Sequence, residues 1–182
     1  MKVDLSTYNN RWFKCGTSTK RFFWYFINLL FFNNGWFPFY GLKTFLLKLF
    51  GANIGKNVLI KPHVNIKYPW LLSIGNNVWI GEQVWIDNLA MVTIGNNVCI
   101  SQGALLLCGN HNFKLPTFDL IVKEIIVEDG VWVCAKAIIC QAVVCKTHSV
   151  IGVGAVVSKN TDAFSIYAGN PAIKCGERLI QT

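Results

Sequence analysis

A six-residue period of aliphatic side chains runs through the last two thirds of the chain. One position of this period is occupied by Ile54, Ile60, Ile66, Ile74, Ile80, Ile86, Ile94, Ile100, Leu106, Val127, Val133, Ile139, Cys145, Ile151 and Val157. Four residues after each of these comes a mostly small or β-branched side chain, as at Val58 and Ala155. A period of six matches neither an amphipathic helix nor a hairpin strand. It is typical of short strands joined by sharp bends, so we predict an all-β solenoid with both positions facing its interior.

The spacing of the repeat divides it into three-sided coils. The first three coils begin at Ile54, Ile74 and Ile94, twenty residues apart, and two more begin at Val127 and Cys145, eighteen apart. Residues 107–126 interrupt the period, and we predict that they form a loop leaving the third side of the third coil. Functional residues concentrate on loops that a rigid scaffold positions. The loop contains the stretch GNHN at 109–112, and therefore a histidine.

Composition limits the class of protein. Hydrophobic residues make up 53% of the chain and charged residues 14%, which excludes a disordered chain. Seven cysteines, an odd number without a CxxC pair, are not typical of a disulfide framework in a chain of this size. We therefore expect a reduced, cytoplasmic protein whose cysteines act as small hydrophobic residues. We also expect no nucleic-acid partner.

Several motifs together resemble the hexapeptide-repeat acyltransferases. They are the IGxNV hexads at 54–58, 74–78 and 94–98, the GNHN loop, IIVEDGVWVCAKAIIC at 125–140 and YAGNPA at 167–172. Within this family the chain is most similar to the colanic-acid-type and the maltose or galactoside acetyltransferases, and the resemblance covers residues 51–178. It implies a left-handed parallel β-helix that assembles as a homotrimer and uses acetyl-CoA as acyl donor.

The resemblance also implies a catalytic role for the loop histidine. In the family this histidine takes the proton of the acceptor hydroxyl, which attacks the thioester directly, so His111 is the expected general base. Asn110 and Asn112 beside it offer hydrogen bonds to a substrate. Asp87 and Asn88, on the same side one coil below, are expected to bind the acceptor sugar, although Asp and Asn also stabilise turns through their own backbone.

The chain contains no P-loop for the phosphates of acetyl-CoA. The resemblance instead implies that the cofactor lies along the C-terminal coils. The matching positions are Ala135 and Val153 for backbone contacts, Ser158 and Lys159 after the last coil, and either Lys174 or Arg178 for phosphate.

The expected reaction is O-acetylation of a sugar hydroxyl, with a role in surface polysaccharide biosynthesis. The acceptor would be a free, lipid-linked or nucleotide-linked glycan. Two alternatives stay open: N-acetylation of an amino sugar, and a non-catalytic structural solenoid. A zinc site like that of carbonic-anhydrase relatives is not expected, because four rungs, about 19 Å in total, would separate His63 from His148.

The first fifty residues differ from the rest. They hold seven Lys and Arg against one acid, and 16 of the 25 aromatic residues. Residues 22–42 carry no charge, but Asn, Gly and Pro interrupt the stretch at 33–35 and 38, so a membrane span is not expected. The pattern LKTFLLKLF at 42–50 predicts a short amphipathic helix that could cap the open first coil. The segment 11–50 is expected either to rest on an anionic membrane face or to pack against the trimer and the solenoid end.

The predicted organisation therefore has three parts. Residues 1–50 form a basic, aromatic helical segment, residues 51–165 form the β-helix with its loop 107–126, and residues 166–182 form a C-terminal turn and tail.

Overall fold

The six-residue period folds into a three-sided prism. In the computed structural model, which describes residues 2–181, each coil contributes one short strand to each of three faces, and the strands of successive coils pair in parallel. The first face contains Asn53–Ile54 (β1), Leu72–Ile74 (β4), Val92–Ile94 (β7), Ile125–Val127 (β12) and Val144–Cys145 (β15). The second contains Leu59–Ile60 (β2), Trp79–Ile80 (β5), Cys99–Ile100 (β8), Trp132–Val133 (β13), Val150–Ile151 (β16), Ser165–Ala168 (β18) and Ile173–Glu177 (β19). The third contains Asn65–Ile66 (β3), Trp85–Asp87 (β6), Leu105–Leu107 (β9), Ile138–Cys140 (β14) and Val156–Val157 (β17).

The register of the coils follows the spacing of the repeat. Ile54, Ile74, Ile94, Val127 and Cys145 are successive partners along the first face. All fifteen residues of the main hexad position are buried, with at most 6% of their surface exposed. The predicted three-sided parallel β-helix is therefore confirmed, and it agrees with the left-handed coil of the resembled family.

The bends between strands explain the asparagines of the repeat. Asn57, Asn77 and Asn97 have φ angles of 55–57°, the left-handed region that asparagine tolerates better than most side chains. Their amides also form a ladder, in which Asn57 Nδ2 donates to Asn77 Oδ1 at 2.9 Å and Asn77 Nδ2 donates to Asn97 Oδ1 at 3.2 Å. Each asparagine thus turns the chain and links one coil to the next.

Two α-helices precede the solenoid: Ser18–Ile27 (α1), which continues as a π-helix over Asn28–Phe32, and Tyr40–Leu49 (α2). Single 3-10 turns lie at Leu5–Thr7 and Pro69–Leu71. The helix α2 covers the open first coil, as predicted. Its Leu47 is fully buried, and the ammonium of buried Lys43 donates to the carbonyl of Lys61 at 3.1 Å. Burial lowers the pKa of Lys43.

The helix α1 is anchored to the solenoid by one aromatic residue. Trp24 is buried, and its Nε1 donates to the carbonyl oxygen of Ile66 at 2.8 Å. The remaining aromatic side chains of this helix, Phe22, Phe23, Tyr25 and Phe26, are exposed. None of the helices within residues 2–181 has the length and apolar content that a bilayer span needs.

The far end of the prism is closed by the C-terminal residues. Strand β18 extends the second face in parallel, and β19 returns antiparallel to it after a turn that includes the cis peptide bond Asn170–Pro171. All seven cysteines are free thiols, and four of them are buried, as expected of small hydrophobic residues.

Candidate active site

The long interruption of the repeat forms a β-hairpin. Gly109–His111 (β10) pairs antiparallel with Leu120–Val122 (β11), and the hairpin leaves the prism after β9 on the third face, as the spacing predicts. Asn110 Oδ1 accepts from the amide of His111 at 2.7 Å, and Asn112 Oδ1 accepts from the amide of Lys114 at 3.2 Å. Both asparagine oxygens therefore shape the hairpin locally.

The ring of His111 is held in one orientation. It is half-buried, and its Nδ1 lies 2.8 Å from the carbonyl oxygen of Phe118. The ring also stacks on that of Phe118, with centroids 4.4 Å apart and planes 8° apart. Because a carbonyl oxygen can only accept, Nδ1 carries the hydrogen, and in the neutral imidazole Nε2 carries the lone pair. The nitrogen that can take a proton is therefore Nε2.

A second aromatic ring reaches His111 from the N-terminal segment. The ring of Tyr8 lies 5.7 Å from that of His111, and the amide of Asp4 donates to the carbonyl of Pro116 in the hairpin at 3.0 Å. The residues before α1 thus pack against the hairpin and form part of its surroundings. These residues are not predictable from the sequence as part of the site, because no local pattern marks a contact across a hundred residues.

Asp87 lies at the base of the hairpin. It ends β6, one coil below Leu107 in register, and its side chain is largely buried. Its Oδ1 forms an ion pair of 2.7 Å with Nζ of Lys67, and its carbonyl accepts from the amide of Cys108 at 3.3 Å. Lys67 was not among the predicted site residues. The twenty-residue repeat could have found it, since position 67 lies directly below position 87.

Asn88 has a structural role that the substrate-binding expectation did not include. It is fully buried, and its Oδ1 accepts from the amide of Tyr68 at 3.0 Å. Its Nδ2 donates to the carbonyls of Tyr68 at 2.6 Å and Leu71 at 3.0 Å. Both amide hydrogens are therefore used by backbone, so the expectation that Asn88 binds the sugar is corrected: it holds the bend of the coil below.

The cysteine nearest to the hairpin is not an activated nucleophile. Cys108 is buried, and burial raises the pKa of its thiol to about 11. Near neutral pH it is therefore a protonated thiol packed in the core.

The expected cofactor positions lie along different edges of the prism. Ala135 and Val153 stack at the bend between the second and third faces, where the amide of Gly154 donates to the carbonyl of Ala135 at 2.9 Å. Ser158 and Lys159 are exposed after β17, at the edge from which the hairpin leaves but two coils further on. One protomer thus does not bring the Ala135 edge together with the hairpin.

The two alternatives for the phosphate contact differ in their surroundings. Arg178 Nη1 donates to the carbonyl of Gly130 at 2.7 Å and also contacts the carbonyl of His148 at 3.4 Å, which anchors the C-terminal strand at a third edge. Its guanidinium therefore has a structural contact, which argues against a phosphate role. Lys174 is exposed and pairs with Glu177 at 2.6 Å.

The three histidines lie apart from one another. His63 is at a bend of the first coil, His148 at a bend of the fifth, and His111 in the hairpin. Within residues 2–181 no group of three or more His, Cys, Asp and Glu side chains is arranged to hold a metal ion.

Comparison with known proteins gave one strong sequence relationship. No family model matches the chain. Over 179 residues it is 34% identical to a protein of Escherichia coli (strain K12) named "Putative colanic acid biosynthesis acetyltransferase WcaF", and the match covers 97% of each chain. A protein of Shigella flexneri with the same name matches to the same extent.

Solved structures share the fold. A hexapeptide-repeat acetyltransferase from Vibrio cholerae O1 biovar eltor, complexed with acetyl coenzyme A, superposes with a TM-score of 0.81 at 20% identity, covering 89% of this chain and 88% of that one. A maltose O-acetyltransferase from Clostridium difficile 630 gives a TM-score of 0.75 at 19% identity, with the same coverage. These likenesses establish the architecture, and the 34% identity along nearly all of both chains establishes the relationship. The chain belongs to the hexapeptide-repeat acyltransferases, in the branch of the colanic-acid-type acetyltransferases, and is an acyltransferase enzyme.

Proposed function

We propose that the protein transfers an acetyl group from acetyl-CoA to a sugar hydroxyl in surface polysaccharide biosynthesis, with His111 as the general base. The observation that carries this proposal is the 2.8 Å contact between His111 Nδ1 and the carbonyl oxygen of Phe118, which leaves Nε2 to accept a proton. The name of the Escherichia coli relative supports a polysaccharide as the context of the acceptor.

The reaction follows from that tautomer. His111 Nε2 takes the proton of the acceptor hydroxyl as its oxygen forms a bond to the acetyl carbon. Acetyl-CoA supplies a thioester whose carbon–sulfur bond breaks to release the CoA thiolate. The imidazolium returns its proton to the departing sulfur, so His111 ends the cycle neutral. Asp87 at the hairpin base and the amide groups of Asn110 and Asn112 are the candidates for hydrogen bonds to the sugar.

The site is proposed to form between protomers of a homotrimer. Within one protomer, His111 and the Ala135–Val153 pair lie at different edges of the prism. A second protomer would therefore have to bring its Ala135–Val153 edge, which binds acetyl-CoA, next to His111. Ser158 and Lys159, which lie at the edge from which the hairpin leaves, and Lys174 are the side chains proposed to assist in binding acetyl-CoA. The outward side chains of the second face support a contact between copies, because they form an apolar column: Leu59, Trp79, Cys99, Trp132 and Val150.

The enzyme is proposed to be cytoplasmic and to rest on the inner face of the cell membrane through residues 11–50. Within residues 2–181, twelve of the 25 exposed large apolar side chains lie in the segment 11–50. The first fifty residues hold seven Lys and Arg and one acid, and the six basic side chains other than buried Lys43 complement anionic lipid. The inner side of this segment covers the solenoid end, which leaves the outer aromatic side for the membrane.

The test of the catalytic proposal is replacement of the histidine. His111→Ala should lower kcat/KM about 100- to 10,000-fold without changing the unfolding temperature. CoA release should be followed by chromatography, since the exposed Cys175 would react with thiol reagents. An ester product identifies O-acetylation, whereas an amide product identifies the amino-sugar alternative. Unchanged turnover and ligand affinity in the variant would favour the non-catalytic solenoid.

A further inference from the structure

A cavity of about 410 Å³ lies between the N-terminal segment and the solenoid, next to the His111 hairpin. Its wall includes Tyr8, Arg11, Arg21, Lys67, Tyr68 and Leu120. Tyr8 contacts the ring of His111, and Leu120 is the cross-strand partner of His111. The volume is in the range that small-molecule sites occupy. The cavity therefore shares two wall residues with the surroundings of His111, which does not itself line it.

The charge of this cavity is unbalanced. Three basic side chains and no carboxylate line it, and only Lys67 is neutralised, by its 2.7 Å ion pair with Asp87. The guanidinium of Arg21 contacts neutral groups, Ser18 Oγ at 3.2 Å and Cys15 Sγ at 3.5 Å. Among residues 2–181 neither Arg11 nor Arg21 has a carboxylate within ion-pair distance. Two positive charges, both on solvent-exposed residues, thus line one cavity without a counter-charge.

The opposite wall of the cavity is rigid and offers a hydrogen-bond donor. Tyr68 is fixed at its amide and carbonyl by the side chain of Asn88, and its ring stacks on Trp70 at 5.2 Å. Burial raises the pKa of Tyr68 to about 12, so its phenol keeps its hydrogen near neutral pH. A protonated phenol can donate to an anionic oxygen.

Building on the proposed function, we propose that the acceptor carries an anionic oxygen group, a phosphate or a carboxylate, which Arg11 and Arg21 bind while a hydroxyl of the same molecule meets His111. The planar guanidinium matches both groups, because each presents two oxygens to its paired N–H donors. A neutral sugar would occupy the same space without forming an ion pair with either guanidinium. The specificity of the enzyme would then depend on the N-terminal segment as well as on the hairpin.

Binding of simple anions tests this proposal without requiring turnover. Inorganic phosphate and glucuronate are titrated into the full-length protein by calorimetry, with saturating CoA present so that the phosphate contacts of the donor site are filled. Wild type should bind at least one of the two anions, and Arg11→Gln/Arg21→Gln should weaken that binding about tenfold or more. The anion bound more tightly distinguishes a phosphorylated acceptor from a uronic acid. Binding of neither anion by wild type, or equal binding by the double variant, would overturn the proposal.

Two controls separate a local effect from a general one. Lys14→Gln/Lys48→Gln removes two exposed charges outside the cavity and should leave anion binding unchanged. His111→Ala should also keep anion binding, so a failure of the catalytic proposal leaves this measurement interpretable.

With any acceptor that supports turnover, the anionic member of a matched pair should have a kcat/KM about tenfold or more above its neutral counterpart, and Arg11→Gln/Arg21→Gln should reduce that ratio toward one. A ratio near one in wild type contradicts the proposal.

Discussion

The carbonyl oxygen of Phe118 lies 2.8 Å from Nδ1 of His111, and the two rings stack with their planes 8° apart. Phe118 has a φ of 51°, in the left-handed region that an aromatic residue rarely adopts. Such a backbone costs about 1–3 kcal/mol and persists where the surrounding structure requires it. Here it directs both the carbonyl and the ring of one residue toward the imidazole. Phe118 therefore acts as a positioning residue for His111.

Removal of the Phe118 ring should impair catalysis more than stability. Phe118→Ala keeps the carbonyl but loses the stacked surface, so the imidazole can rotate away from its productive orientation. We expect kcat to fall about tenfold or more, with a small change in KM, because displacement by about 1 Å can cost 100-fold in rate. The matched control is Phe113→Ala, on the same hairpin but 71% exposed, which should keep the wild-type kcat. Equal kcat values for the two variants would argue against positioning by the stack.

The amide of Asn88 should matter for folding. Asn88→Ala leaves the amide of Tyr68 and the carbonyl of Leu71 without their buried partner, whereas the carbonyl of Tyr68 still accepts from the amide of Leu71 at 2.9 Å. Because an unsatisfied buried group costs about 1–3 kcal/mol, we expect the free energy of unfolding to fall by about 2–4 kcal/mol. Urea denaturation measures this change.

A surface asparagine provides the comparison for Asn88. Asn53 is exposed, and its Nδ2 donates to Ser73 Oγ at 3.2 Å. Asn53→Ala should change the free energy of unfolding by less than about 0.5 kcal/mol, as is usual for surface substitutions. A loss as small for Asn88→Ala would mean that water replaces its hydrogen bonds.

The sequence predicts the solenoid well because its information is local and repeated. The inward positions, the coil spacing and the exit point of the hairpin all follow from the six-residue period. The same repeat contains the Lys67–Asp87 pair, since residues twenty apart lie one above the other. Ala90, four residues after Ile86, is only half-buried, because it lies in the bend made by the two extra residues before β7.

The parts of the site that the sequence does not predict depend on long-range packing. Tyr8 meets His111 across a hundred residues, and no periodicity connects them. The role of Asn88 could not be decided either, because the same side chain suits a turn and a sugar. Arg178 matches a basic position of the family by composition, but the carbonyls of Gly130 and His148 are what it contacts.

The buried lysine of α2 makes stability depend on pH. Burial penalises the charged form and lowers the pKa of Lys43 below its ordinary 10.5. Between the folded and unfolded pKa values the unfolded chain binds more protons, so stability rises with pH. The penalty is fully present below the folded pKa and is relieved by pH 10.5.

We therefore expect the free energy of unfolding of wild type, relative to Lys43→Met, to increase as the pH rises toward that value. Lys48→Met, on the same helix but exposed, should show no such trend, and parallel curves for Lys43→Met and wild type would contradict the explanation.

The outer aromatic side of α1 should bind anionic membranes. Phe22 and Phe26 contact each other, with ring centroids 5.0 Å apart, and are 60% and 44% exposed, whereas Trp24 on the inner side is buried against the solenoid. Substituting the two outer residues therefore removes apolar surface without disturbing the anchor. We expect the full-length protein to co-sediment with vesicles containing phosphatidylserine, and Phe22→Ser/Phe26→Ser to remain largely in the supernatant. Each substitution removes apolar side-chain area that would otherwise transfer from water into the membrane.

The same assay measures how much the basic residues contribute to vesicle binding. Together with sedimentation velocity, it also tests the alternative that the aromatic side of α1 packs between protomers. Leu179→Ser removes an 87% exposed apolar side chain at the other end of the chain and should pellet like wild type. Vesicles of phosphatidylcholine alone should bind less, since the six Lys and Arg of the first fifty residues other than buried Lys43 attract anionic lipid at about 1 kcal/mol each. If Phe22→Ser/Phe26→Ser pellets as wild type does but no longer assembles into trimers by sedimentation velocity, the aromatic side packs between protomers. In that case the membrane contact is wrong, and the segment serves assembly alone.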